Sequence, residues 1–149
     1  MIDEELLDRV HAAFQAADPV PEAVVAAGRA AFAWRVPGAE LAELAHEQEG
    51  RALAGTRGGL VRALTFTGAD VTVEVEVHDT GRGRELTGRL APPVASRVRL
   101  RRLGAAPDEA TAETSASGHF VFAQVPEGLA SLVFELPDAA SIVTSWVRL

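Results

Sequence analysis

The chain has 149 residues, 48% of them hydrophobic, and a formal net charge of −7 from 14 basic and 21 acidic residues. That balance argues against a general nucleic-acid surface or an anionic-membrane surface. Cysteine and lysine are both missing, which removes disulfides, thiolate metal sites, cysteine nucleophiles, Schiff bases and the P-loop lysine.

Asparagine and tyrosine are missing too, and every basic residue is arginine. With so much Ala, Gly and Arg, this is the usage of a GC-rich bacterial gene, a matter of codons rather than chemistry. The opening Met1-Ile2-Asp3-Glu4-Glu5 lacks the basic region and apolar run of a signal peptide. No stretch reaches the ~18 apolar residues of a membrane span. A cytoplasmic protein is expected.

Asp3 suits a helix cap, and Glu4 and Glu5 suit the first turn, where carboxylates favour the helix dipole. Leu6, Val10, Phe14 and Ala17 follow helical spacing, with Leu7 beside them. Pro19 ends that helix, because the residue before proline avoids the α region. A second helix is predicted from Pro21 to Trp34, with Val24, Ala27, Ala31 and Trp34 on one stripe and Val25 and Phe32 next to it. Val36-Pro37-Gly38 breaks it. A short third helix is predicted over Ala39 to Gln48, with Leu41, Leu44 and Ala45 inward. Arg51 to Gly59 reads as a linker. A helical unit of this size is too small for a strong core of its own.

From Leu60 the period becomes two. Leu60 to Phe66 is a candidate strand. Val71, Val73, Val75 and Val77 alternate with Thr72, Glu74, Glu76 and His78, as a half-buried strand does. Strands are predicted at Arg84 to Ala91, around Val98 and Leu100, at Glu109 to Thr114, at Phe120 to Phe122, at Leu129 to Leu136 and at Ile142 to Leu149. Gly118 is placed to take a positive φ, and Pro126 and Gly128 build the next turn. The expected fold is α+β: a helical segment of two to three helices over residues 1–50, a linker over 51–59, and a seven- or eight-stranded antiparallel β-sandwich over 60–149.

Leu86, Gly88 and Leu90, then Gly118, Phe120, Phe122, Val125, Pro126, Gly128 and Leu132, resemble the carboxypeptidase regulatory-like (transthyretin-like) β-sandwich over residues 84 to 136. That family often has an Asp before its Gly-x-Phe element, where this chain offers Thr114, Ser115 and Ser117. The resemblance implies a non-catalytic module that binds partners or stiffens a chain.

Candidate chemistry is sparse. The histidines stand apart, at 11, 46, 78 and 119. His78 and Asp79 with His119 are a conceivable metal or enzyme site; the plainer reading is exposed strand-end polars. Ser115 and Ser117 lie near His119 without a nucleophile elbow. Gly55-Thr56-Arg57-Gly58-Gly59 and Gly81-Arg82-Gly83 read as flexible loops rather than phosphate cradles. Arg97, Arg99 and Arg101, with Arg102, form a stripe. It either pairs across strands with acids such as Glu74 and Glu76, at about 0.2–1 kcal/mol per pair, or it meets an acidic partner. No aromatic lies between the arginines to stack a base. Phe32, Trp34 and Arg35 either pack the second helix down or anchor an interface, since Trp and Arg are enriched at hot spots.

Ala30-Ala31-Phe32-Ala33-Trp34-Arg35 followed by Ala39-Glu40-Leu41-Ala42-Glu43-Leu44 is similar to small actinobacterial proteins encoded beside sigma factors. That likeness implies a regulatory role. The expected function is therefore a non-enzymatic regulatory or adaptor protein. It would hold another protein, of transcription or signalling, through its N-terminal helices. Phe32, Trp34, Arg35, Arg97, Arg99 and Arg101 are its candidate contacts, and no metal, cofactor, nucleic acid or membrane is expected. The alternatives are a small-ligand or carbohydrate-binding module and a His-dependent enzyme.

Overall fold

A computed structural model of the protein describes residues 2–51, 60–106 and 109–149. The chain forms two compact units, Met1–Pro37 and Gly38–Leu149. The expected linker and the Gly55–Gly59 loop lie outside the described residues, apart from Arg51, as does Pro107.

The first unit holds helices α1 (Ile2–Ala17) and α2 (Glu22–Ala33). Asp3, Glu4 and Glu5 all lie in the first turn of α1, where their charges oppose the positive helix end. Pro21 caps α2 with φ −54° and ψ 137°. An extended proline is well placed there, since the first helical positions need no N–H partner. Every described residue of both helices is exposed, including Leu6, Leu7, Val10, Phe14, Val24 and Phe32. No helix among the described residues is long and apolar enough to cross a membrane.

The second unit has ten strands: β1 (Glu40–Arg51), β2 (Leu60–Thr67), β3 (Thr72–Asp79), β4 (Arg84–Ala91), β5 (Arg97–Arg102), β6 (Ala110–Glu113), β7 (His119–Val125), β8 (Leu129–Glu135), β9 (Ser141–Thr144) and β10 (Val147–Arg148). They form one mixed, nearly closed, barrel-like sheet in the order β6-β5-β8-β9-β1-β2-β3-β4-β7, and β10 pairs with β8 off this path.

The protein is therefore mostly β, which corrects the expected α+β fold with its antiparallel sandwich in three ways. The predicted third helix, 39–48, is strand instead and forms most of β1. The pairing of β1 with β9 is parallel, Glu40 beside Ile142 and Ala42 beside Thr144. The predicted closing strand is two, β9 and β10. The cause lies in β1. Its first residues join β9, and from Glu43 onward it pairs antiparallel with β2, with a bulge between Leu44 and His46. A strand that leaves one neighbour for another at a bulge turns a corner. Here it links what would have been two layers into a single sheet. Ladders on both sides override the weak strand preference of its Glu- and Ala-rich sequence, and Ala42 ends fully buried.

The core fills the barrel. Leu64, Phe66, Val73, Val75, Leu86, Leu90, Phe120 and Phe122 meet Val98, Leu100, Leu132, Phe134 and Ile142. Phe120 packs edge-on against Phe134 at 5.4 Å between ring centres, a favoured arrangement of aromatic quadrupoles. Gly88 makes this possible: a Cβ there would stand 2.2 Å from the Phe120 ring. Gly118 has φ +81°, and a Cβ on it would reach 2.3 Å from the Leu90 carbonyl oxygen. Its own carbonyl accepts the Leu90 N–H at 2.9 Å. The void left among Leu64, Phe66, Leu86 and Leu132 measures about 10 Å³, room for a single water.

Candidate protein-interaction site

Three of the six candidate residues sit at the end of α2. Helical spacing brings residues three apart onto one side. The Arg35 N–H donates to the Phe32 carbonyl at 3.2 Å, extending the helix path by a turn. The Arg35 guanidinium lies 5.0 Å from the centre of the Phe32 ring. A cation over an aromatic face is attracted by about 0.5–1 kcal/mol at an exposed site, and Phe32 is 67% exposed. Trp34, the helix C-cap, is half-buried.

The stripe predicted next to them is wider than the sequence implied. Of the twelve residues of α2, only Glu22 and Arg29 are charged, and the rest are Ala, Val, Gly and Phe. A helix apolar almost all round belongs in a protein interior, yet Val24, Val25 and Phe32 are exposed. In α1 the exposed apolar residues fall on one face, with Asp3 on the same face.

The other three candidates lie in the second unit, and the strand gives each a different setting. Arg97 is exposed, in register with Glu113 on one side and Glu135 on the other. Arg99 is half-buried, its Nε 2.9 Å from a Glu135 carboxylate oxygen. Arg101 is 5% exposed. Its Nη2 donates to Ser131 Oγ at 2.9 Å, Ser131 donates to the Thr144 carbonyl at 2.9 Å, and its guanidinium stands 5.0 Å from the Trp146 ring centre. Burial, and after it the Arg99 charge, lowers the Arg101 pKa. Arg101 works as an internal strut, Arg99 is matched by an acid of the next strand, and Arg97 alone of the three stands in the open.

The acids expected opposite this stripe pair elsewhere. Glu74 meets Arg89 at 2.8 Å and Glu76 meets His78 at 3.3 Å. His78 and His119 sit near opposite ends of β4, in register with Glu85 and Arg89, about 13 Å apart along the strand. No three metal-binding side chains converge among the described residues. Ser115, Ser117 and His119 do come together: Ser117 Oγ lies 2.9 Å from His119 Nδ1 and 3.0 Å from Ser115 Oγ. Ser115 also accepts the His119 N–H at 3.2 Å, so the chain of hydroxyls closes on its own turn. Beside it, Glu74, Thr87, Arg89 and His119 line an open groove of about 310 Å³.

The sequence had no signal for the Ser131–Thr144 link or for Trp146 over Arg101, because the partners meet only through strand pairing. No family model, curated protein or solved structure matches the chain.

Proposed function

We propose that the chain is a non-enzymatic regulatory or adaptor protein that binds another protein through its N-terminal helices, with the β unit as scaffold. The carrying observation is α2, a helix apolar on nearly every side whose described residues are all exposed. Helices of 12 and 16 residues are marginal alone in water and depend on packing of an apolar face. An apolar helix laid into a groove is a common form of protein recognition, and the Phe32–Arg35 pair has the composition of an interface anchor. The likeness to proteins encoded beside sigma factors makes a transcription or signalling protein the partner of choice.

A ligand-binding reading has less behind it. Small-molecule sites usually occupy about 300–1,000 Å³ of concave space, and the void among Leu64, Phe66, Leu86 and Leu132 has room for about one water. The open groove near Arg89 is lined by no Phe, Tyr or Trp for a sugar ring to stack on.

The test is capture from native lysate with the tagged full chain beside a Val24→Asp/Phe32→Asp variant, read by mass spectrometry. A partner held by the full chain and lost by the variant is the expected result, with the thermal transition of the β unit unchanged. The same partner held equally by both would overturn the reading.

A further inference from the structure

We propose that, when no partner is bound, the helices are covered by those of a second copy of the chain, α1 of one copy lying antiparallel to α2 of the other. This rests on the reading that the helices are the protein-binding element, and it adds a regulation to it: the partner and the second copy compete for one surface.

The argument starts from what each helix lacks. α1 offers large side chains on one face, Leu6, Val10 and Phe14 with Leu7 beside them. α2 offers small ones on a face that runs through Ala27, Gly28 and Ala31, between Val24 and Phe32. Large residues facing small ones let two helices approach closely and interdigitate. In an antiparallel register that sets Val10 opposite Ala27 and Gly28, Leu7 falls opposite Ala31, and Phe14 falls opposite Val24.

Charge fits the same register. Asp3 lies on the apolar face of α1 near its start, and Arg35 lies on the apolar side of α2 just past its end; both are exposed. The alignment brings them together, one pair at each end of a twofold arrangement. The rest of the α1 start is acidic, with Glu4, Glu5 and Asp8 against Arg9. The end of α2 carries Arg29 and no acid after Glu22. Antiparallel packing also sets the positive dipole end of α1 beside the negative end of α2. Two copies supply four helices, two of each kind, the number that makes a bundle with a core. No described residue of either helix is buried. Pro19 and Pro21 fix their own φ and disfavour the α region for the residues before them, which stiffens the connection.

Sedimentation of the full chain over a concentration series tests this. A monomer–dimer equilibrium is expected. Asp3→Arg alone and Arg35→Asp alone should each weaken the dimer about tenfold, and the double variant should recover much of the loss, the mark of a direct pair. Amide exchange over residues 22–33 should slow as the dimer forms. The β-unit thermal transition checks that each variant is folded.

A chain that remains a monomer at its highest soluble concentration overturns the proposal. So does a monomer with amides 22–33 already protected, which would mean that the chain covers its own helices. A dimer indifferent to both reversals overturns it too, placing the contact on another surface. Capture of a protein partner by a chain that never dimerises would sink this proposal and leave the functional reading standing. Loss of the dimer in Val24→Asp/Phe32→Asp with unchanged partner capture would do the reverse.

Discussion

The helical unit and the β unit solve the problem of apolar surface in opposite ways. In the β unit Phe66, Phe134, Val73 and Val98 are all but removed from water, and each strand is held by at least one neighbour. In the helical unit Phe14 and Phe32 are 70% and 67% exposed. One unit buries its large apolar side chains; the other leaves them exposed. Mutation should therefore separate them, costing folding in the barrel and, on the function proposed above, association in the helices.

The largest effect is expected at Phe134. Phe134→Ala removes a fully buried ring that packs edge-on against Phe120 and should cost about 3–5 kcal/mol, read as a fall in the denaturant midpoint of the β unit. The matching truncation Phe32→Ala should move that midpoint by no more than about 0.5 kcal/mol, as exposed substitutions do. Equal losses at the two sites would erase the contrast between the units.

Gly88→Ala comes next. The added methyl meets the Phe120 ring, and such overpacking costs about 1–3 kcal/mol. Phe120→Leu should relieve part of that loss in the double variant, which thermal melts of the four proteins would show. The smallest effect has the opposite sign. Gln124 sits in the bulged end of β7 with φ +55°, a left-handed conformation that costs a residue with a Cβ about 1–2 kcal/mol. Glycine removes that cost and adds freedom to the unfolded chain worth about 0.4–1 kcal/mol. Gln124→Gly should raise the β-unit midpoint by roughly 0.5 kcal/mol.

What the sequence disclosed follows the same division between local and distant causes. The alternation of Val73, Val75 and Val77, the inward pair Phe120 and Phe122, and the positive φ of Gly118 all came from patterns a few residues long. Those patterns carry their own physics: a period of two, or a missing Cβ. The stretch Glu40-Leu41-Ala42-Glu43-Leu44 carries no such instruction, because leucines three apart suit a helix and its strand state depends on β9 and β2. A single parallel pairing, invisible in composition, turned two layers into one sheet. The site divides likewise. Phe32 and Arg35 meet because they lie three residues apart at a helix end, and the sequence had already grouped them with Trp34. Arg97, Arg99 and Arg101 read as one stripe, but Ser131 and Trp146 take Arg101 inside, and nothing near it in the chain foretold that.

The parallel pairing of β1 with β9 also sets a timetable. Leu44 and Ser145, 101 residues apart in the chain, are joined by a hydrogen bond from the Leu44 N–H to the Ser145 hydroxyl. At synthesis rates of about 5–20 residues per second, β1 waits roughly 5–20 s on the ribosome before β9 exists to receive it. The helices precede β1 in the chain, so their residues leave the ribosome before any strand does. If the helices bind as proposed, a nascent chain would thus present their residues to a partner before its barrel has closed.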